Sequence, residues 1–253
     1  MEKEKNQLFL LLKKSHKSFY YLEIKFSIIP CLRIISLIKF MSILNRKIPF
    51  KPEGKIYYLI DTNFLVNKHL NHKNISDKSE INRIKSAKTY WKIIDQQLEA
   101  NQAQVYILDV CIAETFKVFA KKFYNNEPVF KNHSSYSYVC KKVRKSISLS
   151  PKEAKKSNRN IRYHDIQTNR DIIIGVDRFF EVLNKKKLNS VGIIDIMILS
   201  VSRYLTDYYG IEKQKIAIIT QDNKLYRLAN SINDIPSAFN PNFEKDSINK
   251  IFT

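Results

Sequence analysis

Glycine is scarce in this chain, with four in 253 residues. A phosphate-cradling loop needs several glycines at fixed offsets so that backbone N–H groups can approach the phosphates. No such cluster occurs, which excludes that route to nucleotide binding. Cysteine is nearly as rare and odd in number: Cys31, Cys111 and Cys140 show neither a CxxC spacing nor a pairing framework. Structural zinc and a disulfide scaffold are therefore not expected, and a reducing, cytoplasmic setting fits. There is also no long uninterrupted apolar run. The most apolar stretch, Lys25 to Leu44, is broken by Pro30, Arg33 and Lys39. A charge at the centre of a span costs roughly 2.5–3.5 kcal/mol on insertion scales, so no membrane span is expected. The same stretch lacks a small-residue cleavage site of the secretory kind. Acids, finally, are outnumbered by 44 Lys and Arg to 24 Asp and Glu.

That last imbalance is local. Residues 1–50 carry ten Lys/Arg against three Glu, and residues 117–162 carry thirteen against two, which leaves an excess of only two cations elsewhere. A compositional bias toward Lys, Ile and Asn would spread the excess evenly. Cations clustered beside a folded domain are the footprint of a protein that neutralises phosphates and releases their counterions.

Apolar residues make up 44% of the chain, enough to bury one sizeable core. Residues 1–50 form a basic and apolar extension, and Met41 stands close enough to the first strong folding signal to be an alternative start. From Ile56 the pattern becomes regular. Ile56 to Ile60 is an apolar strand ending at Asp61, and Ile81, Ile84, Trp91, Ile94 and Leu98 recur at helical spacing. Val105 to Leu108 reads as a second strand feeding a helix, Val110 to Tyr124, with an apolar stripe of Ala113, Phe116, Phe119 and Phe123. Residues 125–165 behave as a basic helical insertion, within which Ser150, Pro151 and Glu153 form a capping-box helix start. Periodicity returns with Ile173, Val176, Phe179, Phe180 and Leu183, then with a helix from Val191 to Tyr208 capped by Ser190 and closed at Gly210. Lys215 to Thr220 is the last strand, and residues 231–253 read as a tail. Strands alternating with helices predict an α/β fold with a central parallel sheet flanked by helices over residues 55–230.

Four acids stand out against this pattern. Asp61 ends a strand and Asp222 lies just past another, at the sheet edge where ligands bind in open α/β folds. Each also fits a local role, a helix cap for Asp61 and a turn for Asp222. Asp195 is set in Val191-Gly-Ile-Ile-Asp-Ile-Met-Ile-Leu, a helix so apolar that its carboxylate needs a partner, either a buried cation or a ligand. Glu114 fits equally well as one polar residue of an amphipathic helix. Carboxylates converging at one edge repel one another, and such a cluster is stable at neutral pH only with a bound cation or raised pKa values. Oxygen-only ligation selects Mg²⁺ or Mn²⁺.

These residues resemble a known family. Ile60-Asp61-Thr62-Asn63 followed by Phe64-Leu65-Val66 is similar to the opening signature of PIN domains, and Glu114 to their second acidic position. Gly192-Ile-Ile-Asp195-Ile-Met-Ile-Leu resembles the third, and Ile219-Thr220-Gln221-Asp222 the fourth. The match runs from Ile56 to about Asn230 in the right order. Many relatives carry a further acid two residues after the fourth, where this chain has Lys224. The resemblance implies a PIN-like, Rossmann-like fold, with Asp61, Glu114, Asp195 and Asp222 as catalytic metal ligands and Asn63 and Thr220 supporting them. It implies a Mg²⁺- or Mn²⁺-dependent endoribonuclease, in some members a toxin held by an antitoxin, and a homodimer is a further partner expectation.

In the insertion, Tyr136, Tyr138 and Tyr163 interleave with Lys141, Lys142, Arg144, Lys145 and Arg162, and Lys155, Lys156 and Arg159 follow the Pro151 helix start. Stacking plus phosphate contacts suits single-stranded RNA. Two other classes compete: a PIN-like RNA-binding module without cleavage, and an aspartyl phosphotransfer protein, which wants a second Asp where Asn63 stands. His69 and His72 are spaced like a helical metal pair but lack a third ligand, and read as a surface helix end.

Overall fold

The computed structural model describes residues 54–73, 75–147, 163–186 and 191–243. All lie in the second of two units into which the chain divides, Met1–Ile48 and Pro49–Thr253. The N-terminal extension, the Met41 start, the Pro151 helix and the apolar stretch up to Leu44 fall outside the described residues. Among those described, no helix is long and apolar enough to cross a membrane.

The strands are β1 (Ile56–Ile60), β2 (Ala103–Leu108), β3 (His164–Ile166), β4 (Ile216–Ile219) and β5 (Ala238–Phe239). They form one sheet in the order β3-β2-β1-β4-β5, and every pairing is parallel. The helices are α1 (Thr62–His69), α2 (Lys78–Glu99), α3 (Asp109–Tyr124), α4 (His133–Ile147), α5 (Arg170–Ile174), α6 (Asp177–Lys186), α7 (Ile193–Asp207) and α8 (Asn223–Asn230). This is the α/β architecture the alternation predicts. β2 and β4 are buried at every position and β1 at all but its first. They show no in-out alternation because helices cover both faces of a parallel sheet.

Topology and register position the site. The chain lays β2 and β3 to one side of β1, then returns to lay β4 and β5 on the other. Ile60 is level with Ile107 of β2 and Ile219 of β4, so the three central strands end together. Asp61 and Thr220 therefore leave the sheet side by side at the point where strand order reverses, the place an α/β sheet opens a crevice.

The helices form where sequence periodicity meets the sheet. α2 is capped by Asp77, whose carboxylate accepts from Ser79 N at 2.8 Å, and buries Ile84, Ala87, Trp91 and Ile94 on one face. Trp91 stacks on Phe64 of α1 with ring centroids 4.9 Å apart and donates its indole N–H to the Phe64 carbonyl at 3.0 Å. Asn101, in the left-handed region at φ 58°, then turns the chain into β2. On α3 the buried side is Cys111, Thr115 and Phe119. Ala113, expected in the apolar stripe, is exposed, because the true buried row runs at i, i+4, i+8 from Cys111.

Other differences have local causes. The periodic segment around Ile173 to Leu183 is two helices, α5 and α6, meeting at Gly175. Ile172, not Ile173, faces the core, and Ile173 and Phe180 are exposed. A Cβ at Gly175 would stand 2.5 Å from Ser200 Oγ on α7 and 3.0 Å from the Asp171 carbonyl, so the break lets α5 approach α7 closely. Ser200 fills that contact by donating to the Ile172 carbonyl at 2.6 Å. At its C-terminal end the basic insertion joins the sheet: β3 pairs with β2 along its outer edge. Beyond Asn230 the chain is not merely a tail, since β5 pairs with β4 and Ile235, Ala238 and Asn240 are buried. Tyr163 is no surface ring. It is 2% exposed, packs edge-on against Trp91 at 5.4 Å, and shares its hydroxyl with Lys68 and Asp95.

Gly175→Ala should lower stability by about 1–3 kcal/mol through overpacking against α7. A denaturant midpoint equal to that of the parent would show that α5 is not held against Ser200.

Candidate active site

Three of the four acids stand at helix starts and the fourth, Glu114, one turn further in. Asp61 follows β1 and precedes α1, Glu114 lies in the second turn of α3 after β2, Asp195 is in the first turn of α7, and Asp222 is the N-cap of α8 after β4. Helix N-termini carry partial positive charge and unpaired N–H groups, so each tolerates a carboxylate that the sheet interior would not.

Two threonines tie the acids together. Thr220 donates its hydroxyl to Asp61 Oδ2 at 2.8 Å and accepts from Asp222 N at 2.9 Å. Thr62 donates to Glu114 Oε2 at 2.7 Å. Asp222 caps α8, its Oδ1 accepting from Lys224 N at 2.6 Å and Leu225 N at 3.1 Å. Asp195 reaches back to accept from Gly192 N at 3.1 Å. It is half-buried and not paired in a closed interior, so the buried salt bridge weighed from sequence is not its setting.

The charges of the acids also reach one another. Asp61 is 2% exposed, and burial pushes its pKa up to about 7, with the Asp195 and Asp222 charges adding to the rise and the Thr220 hydroxyl opposing it. Burial likewise raises Asp195 to about 6, reinforced by Asp222 and Glu114 and opposed by the Gly192 N–H and Lys224. The Cys111 thiol, buried on α3, is pushed up by burial and by Asp61, Glu114 and Asp195. Asp195 and Asp222 thus act on Asp61, and Asp222 and Glu114 on Asp195.

As donors, Asp61, Glu114, Asp195 and Asp222 present only carboxylate oxygens, the chemistry that suits a hard divalent cation. Among the described residues, however, no group of three or more His, Cys, Asp or Glu side chains stands in an arrangement that could hold a metal ion. The acids point to their local hydrogen bonds instead. Mg²⁺ commonly keeps several waters and takes only one or two carboxylates, which needs no closed cage.

Of the expected supporting residues, Thr220 bonds directly to the acids, whereas the Asn63 amide makes no hydrogen bond to them. Asn63 lines a cavity of about 280 Å³ with Asn67, Glu80, Arg83 and Lys122. Sequence reasoning passed over Thr62 and Gln221. Gln221 is buried, accepts from Asn67 Nδ2 at 2.7 Å, and donates to the Arg83 carbonyl at 2.8 Å and Asn242 Oδ1 at 3.1 Å. It fastens the turn between Thr220 and Asp222 to α1, α2 and the segment after β5. The available signal was a polar pair placed directly after the apolar strand β4.

Lys141, Lys142, Arg144 and Lys145 are exposed on α4, which packs on α3. The Arg144 guanidinium lies 5.5 Å from the centre of the Phe116 ring. Tyr138 is exposed, but Tyr136 stacks on Phe123 at 4.9 Å. Lys155, Lys156, Arg159 and Arg162 lie outside the described residues. His69 is not a solvated helix end: its Nε2 is buried without a hydrogen-bond partner among the described residues, and burial with Lys68, Lys142 and Lys88 pushes its pKa down to about 3.

No family model matches the chain, and no curated protein matches it. Among solved structures, it is similar to VapBC2 from Rickettsia felis, solved bound to a DNA fragment from their promoter, at 15% identity and a TM-score of 0.43, covering 73% of this chain and 98% of that one. It is also similar to PAE2754 from Pyrobaculum aerophilum, at 13% identity and a TM-score of 0.40, covering 79% of this chain and 93% of that one.

Asp61 and Asp195 both bind a proton more tightly folded than unfolded. Their stabilising contribution is thus fully present below about pH 4 and is lost progressively as pH rises from there through the folded values of about 6 and about 7. In chelator, the melting temperature should fall between pH 5 and pH 8, by the equivalent of up to about 3 kcal/mol for Asp61. Asp61→Asn should remove most of that slope. An equal slope in the variant would mean that Asp61 is not the group held protonated.

Proposed function

We propose that this protein is a Mg²⁺- or Mn²⁺-dependent endoribonuclease whose cleavage site is the crevice at the carboxyl ends of β1 and β4. The observation that supports the reading is the hydrogen-bonded link from Asp61 through Thr220 to the Asp222 backbone at the strand-order reversal, where burial, Asp195 and Asp222 together raise Asp61. Acids held this close gain from an added cation, and a fold that merely needed helix caps would have no reason to gather them.

One or two of Asp61, Asp195 and Asp222 would hold the ion directly and the others, with Glu114, through its waters. A divalent cation held there would offset the carboxylate repulsion and would supply Lewis-acid activation of a water at neutral pH. The chain's own residues do the rest. Thr220 fixes Asp61 Oδ2 by its hydroxyl and so sets the rotation of that carboxylate. Thr62 orients Glu114 in the same way. Asp61 and Asp195, once ionised, are the groups able to take a proton from an attacking water. The cations of α4 would meet the phosphates of a strand led to the crevice.

Lys224 favours a second reading. Its ammonium already opposes the rise at Asp195, partly doing electrostatically what an ion would do, as in a module that binds RNA without cutting it. An aspartyl phosphotransfer role fits less well, because Asp61 is 2% exposed and one of its oxygens is taken by Thr220.

Purified protein should cut labelled single-stranded RNA with Mn²⁺ and stop in chelator. Asp61→Asn and Asp195→Asn should each lose on the order of 100-fold or more in rate while melting as a folded protein. RNA binding without metal-dependent cleavage would establish the second reading instead.

A further inference from the structure

The last turn of α1 is fastened to α2 by Lys68, whose ammonium pairs with Asp95 at 2.8 Å and lies 3.8 Å from the centre of the Trp91 ring. That anchorage brings His69, and the loop carrying His72 and Lys73, against the preceding turns of α2, where Lys85 and Lys88 stand. Lys142 of α4 reaches the same place, since its charge acts on both His69 and Lys88. The cluster is remote from the acids. His69 lies about 12 Å along the helix from Asp61, at about 1.5 Å of rise per residue.

Nothing in the cluster compensates its charge. Asp95 is taken by Lys68, and Lys85, Lys88 and Lys142 form no salt bridge among the described residues. Lys88 is half-buried, and burial together with the Lys142 charge draws its pKa down. His69 Nε2 and His72 Nδ1 are both shielded from solvent without a hydrogen-bond partner among the described residues. A buried polar atom left unpaired is costly, and two of them at one place call for a ligand. A pair of imidazoles would suit a transition-metal ion, but among the described residues no third His, Cys, Asp or Glu joins them, and the surrounding lysines repel a cation. An anion meets the opposite conditions. It offsets the repulsion among the lysines and accepts from ammonium and imidazole N–H groups.

We propose that the end of α1, with Lys88 and Lys142, forms a binding site for a phosphate dianion, either free or as the terminal group of a small phosphorylated molecule. Lys88 and Lys142 supply the charge, and His69 Nε2 and His72 Nδ1 donate to the phosphate oxygens. Lys85 and Lys73, whose charges act on His72, stand at the rim. A dianion offsets more of this charge than the single negative charge of a phosphodiester does. His69 is held neutral by burial and by Lys68, Lys142 and Lys88, and it takes up a proton as the anion enters, because the added negative charge opposes those lysines. The site is separate from the acids and stands whether or not they cut RNA.

The test follows the imidazole signals of the full chain by nuclear magnetic resonance during titration with inorganic phosphate, in chelator and at constant ionic strength near neutral pH. His69 and His72 should shift saturably while His164, on β3, stays in place. Lys88→Gln and Lys142→Gln should each weaken the binding about tenfold. Lys186→Gln, which removes the same charge from the end of α6, should leave it unchanged. No saturable shift at His69, an equal loss in Lys186→Gln, or the same shift with chloride would overturn the proposal. Adenosine monophosphate distinguishes the source of the phosphate. Tighter binding than inorganic phosphate identifies a small phosphorylated molecule, and weaker binding identifies the free ion. A dinucleotide joined by one internal diester should leave His69 in place. If it shifts His69 as phosphate does, the lysines belong to a polynucleotide surface and the proposal falls.

Discussion

The structure depends on how repulsion among four carboxylates is contained at one edge of a sheet. Asp61 is nearly inaccessible and Asp195 is half-buried, and each is raised by its neighbours. Left alone, such a group would neutralise or separate. Helix starts, two threonine hydroxyls, the Gly192 N–H and the Lys224 charge each offset part of that cost. What these groups leave uncompensated is the part of the repulsion that the proposed cation would offset.

The fold makes the convergence unavoidable. Level ends of β1, β2 and β4 bring three strand exits together, and reversal of strand order at β1 keeps a crevice open between them. Gln221 then stiffens the exit from β4 by binding α1, α2 and the segment after β5 at once. The acids are thus set by a rigid frame and not by a loop. The capping of α8 by Asp222 and the hook of Asp195 onto Gly192 show that a structural role and a chemical one coexist in the same side chain.

The central strands were legible because their signals are strong and local: apolar runs, each followed by polar residues. Short edge strands were not. β3 has three residues and β5 two, and neither carries enough pattern to stand out from a loop. Tyr163 looked like a surface ring among lysines because its neighbours in sequence are basic, while its partners, Trp91 and Asp95, are distant in the chain. The split at Gly175 was hidden because its cause is Ser200, a contact that periodicity cannot register. The roles of Thr62 and Gln221 likewise depend on partners 52 and 154 positions away.

The charge asymmetry of the sequence acquires a location in α4, whose exposed cations lie on the helix packed against the one bearing Glu114. On the proposed function, such a cationic surface would hold the polyanion and the acidic crevice would react with it. The central claim is that the four acids act as one cation-binding unit. Titration of the metal-free protein with Mn²⁺, followed by electron paramagnetic resonance near pH 7, tests this most directly. The account predicts saturable binding with proton release in the parent, and its loss in the Asp61→Asn/Asp195→Asn double variant. No saturable binding in the parent, or binding undiminished in the double variant, would contradict it.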